Sequence, residues 1–151
     1  FDYNWGYCRQ AAEDLDKLIS NNPKLRVVLK EFPVLGPPSV EAAQVGIAVN
    51  EVAPERYGEF HDALLGSEGR VDGKAALALV DRLGIDRAAV EKAMDSDVVQ
   101  ATIEEVYGLA NTLSLTGTPS YVVGDAVYVG AVGYDTLQGQ VNKLTCGEAT
   151  C

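Results

Sequence analysis

The spacing of apolar residues predicts helices over most of the chain. The first helix has Asn4 as its expected N-cap, and its apolar face is formed by Trp5, Cys8, Ala12, Leu15, Leu18 and Ile19. Residues 39–115 predict a block of about four further helices, for which the expected N-caps include Ser39, Asp72 and Asp86. A last helix is predicted from the spacing of Tyr134, Leu137, Gln138 and Val141.

Strand patterns occur on both sides of the helical block. The segment LRVVLKEF, residues 25–32, predicts a strand that is largely buried, because three consecutive residues, Val27, Val28 and Leu29, are apolar. Two further runs, residues 120–123 and 126–129, flank Gly124 and Asp125 and predict an antiparallel hairpin. The order helix, strand, helical block, hairpin, helix predicts an α/β domain with a mixed sheet, split by a helical insertion.

The balance of charges excludes one large class of partners. The chain has 22 acidic and 12 basic residues and a formal net charge of −10. Nucleic-acid binding needs basic patches that neutralise phosphates, so we expect no nucleic-acid partner. No apolar run reaches the ~18 residues of a membrane span, so we expect no membrane insertion.

Three cysteines are present, Cys8, Cys146 and Cys151, so at least one lacks a partner within the chain. Cys146 and Cys151 lie close together in a short polar tail. A local disulfide between them is one interpretation, and it fits an oxidising compartment. Two unpaired tail thiols are the other interpretation.

Three segments resemble the DsbA-like branch of the thioredoxin superfamily: FDYNWGYCR (1–9), FPVLGPPSVEAA (32–43) and TGTPSYVVGDAVYVGAVGYDTL (116–137). The resemblance implies a thioredoxin-like mixed sheet with an inserted all-helical subdomain. The expected division is a thioredoxin-like N-terminal half at 1–38, the helical subdomain at 39–115, a C-terminal half with a cis-proline loop, hairpin and helix at 116–145, and a Cys-containing tail at 146–151. The family's first strand is expected to be largely missing, since only residues 1–3 correspond to it.

The resemblance also implies a function. Members of this family exchange disulfides with cysteine-containing polypeptides in the bacterial periplasm or another extracytoplasmic space, and a membrane redox protein is a further partner that the family implies. On this basis we expect a leader segment outside the given sequence. No cofactor and no metal are expected, because no Gly-rich phosphate loop and no zinc-ligand spacing occur.

The family places its attacking cysteine at position 5 and its resolving cysteine at position 8. Here these positions hold Trp5 and Cys8. Exchange requires a thiolate that attacks a disulfide and a second thiol that resolves the mixed disulfide. An indole can do neither, so we expect this form to be a weak or inactive oxidoreductase.

Other interpretations remain open. A redox-silent module would bind unfolded polypeptide in a groove beside a cis Thr118–Pro119 bond and Tyr7, by pairing with the exposed Thr118 backbone. A monothiol transferase using Cys8 is a third option, although a buried, small apolar role for Cys8 is favoured. His61 is expected to be structural. The pair Lys30–Glu31 is interpreted as a solvated strand end rather than as a pair that tunes charge near the site.

Overall fold

Seven α-helices and one short hairpin make up the fold. They are described by a computed structural model that covers all 151 residues. The helices are α1 (Gly6–Asn21), α2 (Pro37–Val52), α3 (Tyr57–Leu65), α4 (Gly73–Arg82), α5 (Arg87–Met94), α6 (Asp97–Thr112) and α7 (Tyr134–Cys146). A 3₁₀ turn at Pro54–Arg56 precedes α3, and the strands are β1 (Ser120–Val123) and β2 (Ala126–Val129). The predicted helical block and final helix are therefore confirmed, although the block contains five α-helices, α2 to α6, rather than about four.

Helix α2 is the centre of the main hydrophobic core. It packs against α3, α4, α5 and α6, and its residues Val45, Ala48 and Val49 are fully buried. A helix that is apolar on several faces is stable only when neighbours cover it on several sides. The helical block is the arrangement that provides those neighbours.

A second, smaller core joins α1, α7 and the hairpin. It is formed by Leu18 of α1 with Leu137 and Val141 of α7, and Tyr121 and Val123 of β1 pack against it. This contact holds α1 and the hairpin together through α7.

The predicted hairpin is confirmed. β1 and β2 pair in antiparallel register from Ser120 opposite Val129 to Val123 opposite Ala126. Gly124 has a positive φ of 65° in the two-residue turn, which is a conformation that glycine adopts without steric cost. Its start at Ser120 comes directly after the Thr118–Pro119 bond.

The strand predicted at residues 25–32 is not formed, and the sheet contains only β1 and β2. Residues 26–29 make no backbone hydrogen bonds, and Val28 is 60% exposed. A strand requires a paired neighbour, and the only pairing here is with Phe1, whose amino group donates to the Lys30 carbonyl and whose carbonyl accepts from Phe32 N–H. The expectation of a largely buried third strand in a mixed sheet was therefore wrong.

Two expected N-caps have other roles. Asp72 and Asp86 cap α4 and α5 as predicted. Asn4 instead binds the backbone of Val71 through its side-chain amide, so α1 begins at Gly6 without a side-chain cap. Ser39 lies inside α2 and is buried, because α2 already begins at Pro37.

Glu31 is buried rather than solvated, which corrects the interpretation of the Lys30–Glu31 pair. Its Oε1 atom accepts hydrogen bonds from the hydroxyls of Tyr3 and Tyr57, each at 3.0 Å. Lys30 forms an ion pair with Glu105 at 2.6 Å in which both side chains are well exposed. The carboxyl is accommodated because Gly46 of α2 has no side chain: a Cβ atom there would clash with Glu31 Oε1.

We predict that Gly46→Ala destabilises the protein by about 1–3 kcal/mol, since the added methyl group overpacks the buried Glu31 site. The matched control is Gly108→Ala in α6, where a Cβ meets nothing within 4 Å. That substitution is expected to stabilise the protein by about 0.5–1 kcal/mol through helix propensity. Urea unfolding measures both, and equal effects of the two variants would show that the space around Gly46 is not needed.

Candidate functional site

The candidate site is built around the beginning of α1. Trp5 is the N-cap residue with extended backbone (φ −92°, ψ 117°), and no side chain caps the helix. The carbonyl of Trp5 accepts from the N–H groups of Cys8 and Arg9, whereas those of Gly6 and Tyr7 have no partner within the chain. The helix dipole adds partial positive charge at this end. The beginning of α1 therefore favours a negatively charged or hydrogen-bond-accepting group.

A buried carboxylate holds the segment that leads into α1. Asp2 is 2% exposed, and its side chain accepts from the N–H groups of Asn4, Val34 and Leu35 and from the hydroxyl of Ser39. Four donors satisfy the hydrogen-bonding capacity of a carboxylate, and these bonds offset the free-energy cost of removing it from water. This contact fixes the turn before Trp5 against the loop that enters α2.

The sulfur atoms are divided between two places. Cys8, one turn inside α1, is free and 3% exposed. Cys146 and Cys151 form a disulfide at the C-terminal end of α7, where both residues are exposed. Cys8 therefore has no second sulfur beside it.

Trp5 and Tyr7 form an exposed aromatic pair at the helix start. Trp5 is 37% and Tyr7 57% exposed, and their ring centroids are 5.6 Å apart. Tyr3, by contrast, is buried at 1% exposure. The aromatic residues near the N-terminus are thus split between the core and the surface.

The Thr118–Pro119 peptide bond is cis. Both residues are buried, with Thr118 7% exposed, so the expectation of an exposed Thr118 backbone was wrong, although its N–H and carbonyl make no hydrogen bond within the chain. The Pro119 carbonyl accepts a hydrogen bond from Gly130 N–H at 2.7 Å. The Oγ1 atom of Thr118 is buried without a hydrogen-bond partner. This loop connects the end of the helical block to β1.

The structure brings Trp5, Tyr7 and Thr118 together on one surface. They line an open groove of about 310 Å³ with Gly130 and Ala131, which follow β2 and were missed by the sequence analysis. A second depression of about 280 Å³ is also lined by Trp5 and Tyr7, together with Gly6 and Gln10. All residues that line these two depressions are uncharged, although the chain as a whole is strongly acidic. Cys146 and Cys151 are not part of this surface.

Burial changes the protonation of groups behind the site. It raises the pKa of Glu31 to about 8, an effect that the hydrogen bonds from Tyr3 and Tyr57 only partly offset. Burial also lowers the pKa of His61 to about 4, so this histidine is neutral at physiological pH. Tyr121 on β1 has its pKa raised to about 12, first by burial and then by the nearby Cys8 and Asp14.

The side chains offer no metal centre, since no group of three or more His, Cys, Asp or Glu residues is arranged to hold an ion. None of the helices has the length and apolar character needed to cross a membrane.

A cis-proline loop beside an uncapped helix start that carries a buried cysteine, together with an inserted helical block, defines a thioredoxin-like domain. Residues 1–142 match the family described as the DSBA-like thioredoxin domain, and the chain belongs to this family. The expected thioredoxin-like, DsbA-type fold is thereby confirmed, with mostly helical content and a small antiparallel sheet.

Similar proteins include two solved structures and one curated relative. A thioredoxin-like oxidoreductase from Silicibacter pomeroyi DSS-3 is 34% identical, with a TM-score of 0.91 over 96% of this chain and 83% of that chain. The thiol-disulfide exchange protein alpha-DsbA2 from Wolbachia pipientis is 30% identical, with a TM-score of 0.88 over 95% and 78% of the two chains. The Na(+)/H(+) antiporter NhaA 1 from Salinispora arenicola is 24% identical over 97% of this chain, which spans only 22% of the antiporter's length.

Proposed function

We propose that this chain is a DsbA-lineage domain whose disulfide-exchange activity is weak or absent, with Trp5 at the position of the attacking cysteine and Cys8 at that of the resolving cysteine. The observation that carries the proposal is the arrangement of sulfur. Cys8 is buried and free, and the other two cysteines are bonded to each other at the exposed end of α7. Exchange through a mixed disulfide needs two thiols at one place, and this site has one.

The low exposure of Cys8 also counts against a monothiol transferase. A thiolate must reach its substrate to attack it, and reactive cysteines are partly exposed. Cys8 is 3% exposed and belongs to the main hydrophobic core, which also contains Tyr3 and has Ala12 packed against it. It therefore acts as a small apolar core residue.

A second function is favoured by the groove. We propose that the domain binds extended or unfolded polypeptide, cysteine-containing or not, along Thr118 and Pro119, with Trp5 and Tyr7 contacting apolar side chains. Exposed aromatic pairs of this kind contribute large contact area at low entropic cost. A peptide beside Thr118 would add main-chain hydrogen bonds, as in other cases of strand addition.

We place the domain in an extracytoplasmic compartment, in keeping with the family. The exposed Cys146–Cys151 disulfide supports this location, because disulfides persist mainly in oxidising compartments. In that compartment, the partners that we propose from the family are cysteine-containing polypeptides and a membrane redox protein.

We predict that Trp5→Cys raises the rate of insulin reduction by about 100-fold or more over the unaltered chain, because the variant supplies the missing nucleophile. In other enzymes, removal of the nucleophile lowers the rate by far more than this. The helix start that favours a thiolate is already in place. Turbidity of precipitating insulin chains follows the reaction.

Trp5→Ser is the matched control, because it removes the indole without adding a thiol and should remain inactive. The double variant Trp5→Cys/Cys8→Ser should trap a mixed disulfide with substrate, since no thiol resolves it. Rapid insulin reduction by the unaltered chain would refute the proposal that exchange is weak or absent.

For polypeptide binding, we predict a saturable change in the emission of Trp5, the only tryptophan of the chain, on titration with a reduced and carboxymethylated unfolded protein. Tyr7→Ala should weaken the affinity about 10-fold, because it removes half of the aromatic pair. Val98→Ala, at a 52% exposed position of α6, should leave the affinity unchanged. The absence of any emission change, or equal affinities for all three proteins, would count against this function.

A further inference from the structure

Behind the aromatic pair lies a buried polar cluster that neither exchange nor polypeptide binding uses. At its centre is Glu31, 4% exposed, whose Oε1 atom accepts from Tyr3 and Tyr57. The hydroxyl of Tyr3 is also 3.4 Å from Nδ1 of His61. Because Tyr3 donates its proton to Glu31, its oxygen can accept one from a His61 ring protonated at Nδ1. The three side chains therefore form a continuous hydrogen-bonded chain onto one carboxyl.

The cluster connects the two parts of the molecule that flank the site. Tyr3 belongs to the segment that leads into α1, two residues before Trp5. Tyr57 and His61 belong to α3, and Gly46 of α2 provides the space that the carboxyl occupies. Glu31 is thus one of three polar links between the segment that carries Trp5 and the helical block, beside the contacts of Asp2 at the entry to α2 and the two hydrogen bonds of Asn4 with the Val71 backbone.

Aromatic packing adds to the same link. The ring of Phe1 lies edge-on to His61 at 4.6 Å and to Tyr3 at 5.1 Å between centroids. Glu31, Tyr3 and His61 are buried and Tyr57 is half-buried, so the carboxyl itself is removed from solvent. A charge that formed on Glu31 would have to be stabilised by the two phenols or by separating the segment from α3.

We propose that Glu31 is a positioning residue for the aromatic surface: its neutral carboxyl holds Tyr3 against α3, and its ionisation loosens this contact and changes the environment of Trp5. The inference does not depend on whether the site binds polypeptide or exchanges disulfides, since it concerns the free protein.

The surroundings of Glu31 determine the pH at which this occurs. Burial, only partly offset by hydrogen bonds, raises the pKa of the carboxyl to about 8. Burial also raises the pKa values of Tyr3 and Tyr57, so both phenols keep their protons from mildly acidic to mildly alkaline pH. His61 stays neutral because burial lowers its pKa to about 4. The remaining charged groups near Glu31 are the Phe1 amino group, whose pKa burial lowers, and the carboxylate of Asp2.

The folded state holds the Glu31 proton at pH values where the unfolded chain has released it. This contribution to the free energy of unfolding is therefore fully present below the ordinary glutamate pKa, falls as the pH rises, and is lost as the pH passes through about 8. Loosening of the cluster is expected in the upper part of that window.

The experiment is a pH titration of Trp5 fluorescence in the free protein, from mildly acidic to mildly alkaline conditions. The proposal predicts a one-proton transition with a midpoint near pH 8. The transition should be absent in Glu31→Gln, which keeps an acceptor and cannot ionise. It should persist in the control Glu105→Gln, which removes an exposed carboxylate that pairs with the neighbouring Lys30.

A second variant keeps the test decisive if Glu31→Gln fails to fold. Tyr57→Phe retains the carboxyl and removes one donor that favours its ionised form, so the midpoint should move to higher pH. A merely structural role for Tyr57 would lower stability without moving the midpoint. A transition that is unchanged in Glu31→Gln would overturn the proposal and would assign the transition to the Phe1 amino group. A midpoint that Tyr57→Phe does not move would also overturn it.

Discussion

The fold of the site depends on how the short segment before α1 is held. Asp2 and Tyr3 are both buried, and each makes its hydrogen bonds to a different part of the chain: Asp2 to the loop that enters α2, and Tyr3 to Glu31 beneath α3. Burying an ionisable group is costly unless its partners are complete. These two side chains fix the direction in which the chain enters α1, and therefore the place of Trp5 at the helix start beside Thr118.

The chemistry of the site follows from what this scaffold presents. A helix start with two free N–H groups lies beside a cis-proline loop, which is an arrangement suited to stabilising a thiolate. This chain places an indole there and keeps a single buried sulfur one turn further on. The scaffold for exchange is thus present without the attacking thiol. An apolar surface that could recognise a polypeptide remains where Trp5 and Tyr7 are exposed.

Sequence reasoning succeeded where local patterns determine the structure. The helical block, the Gly124–Asp125 hairpin and the last helix follow from periodicity and turn chemistry that tertiary contacts reinforce. The strand at 25–32 could not be judged in this way, because a strand exists only with a paired neighbour, and residues 26–29 have none. The burial of Glu31 was equally hidden, since the sequence places it beside Lys30 and gives no sign that Tyr3, Tyr57 and the absent side chain of Gly46 meet around it. Trp5, Tyr7 and Thr118 could be grouped only through the family resemblance, and Gly130 and Ala131 carry no signal that would have added them.

The central claim is that the only free sulfur of this domain is shielded from substrate, and the reactivity of Cys8 tests it most directly. The unreduced native protein is mixed with an excess of iodoacetamide at neutral pH, and its intact mass is followed over time, with a urea-unfolded sample as reference. The account predicts no adduct on the native protein and one on the unfolded protein, with Cys146 and Cys151 protected by their disulfide in both. Rapid formation of a single adduct that maps to Cys8 in the native protein would contradict it.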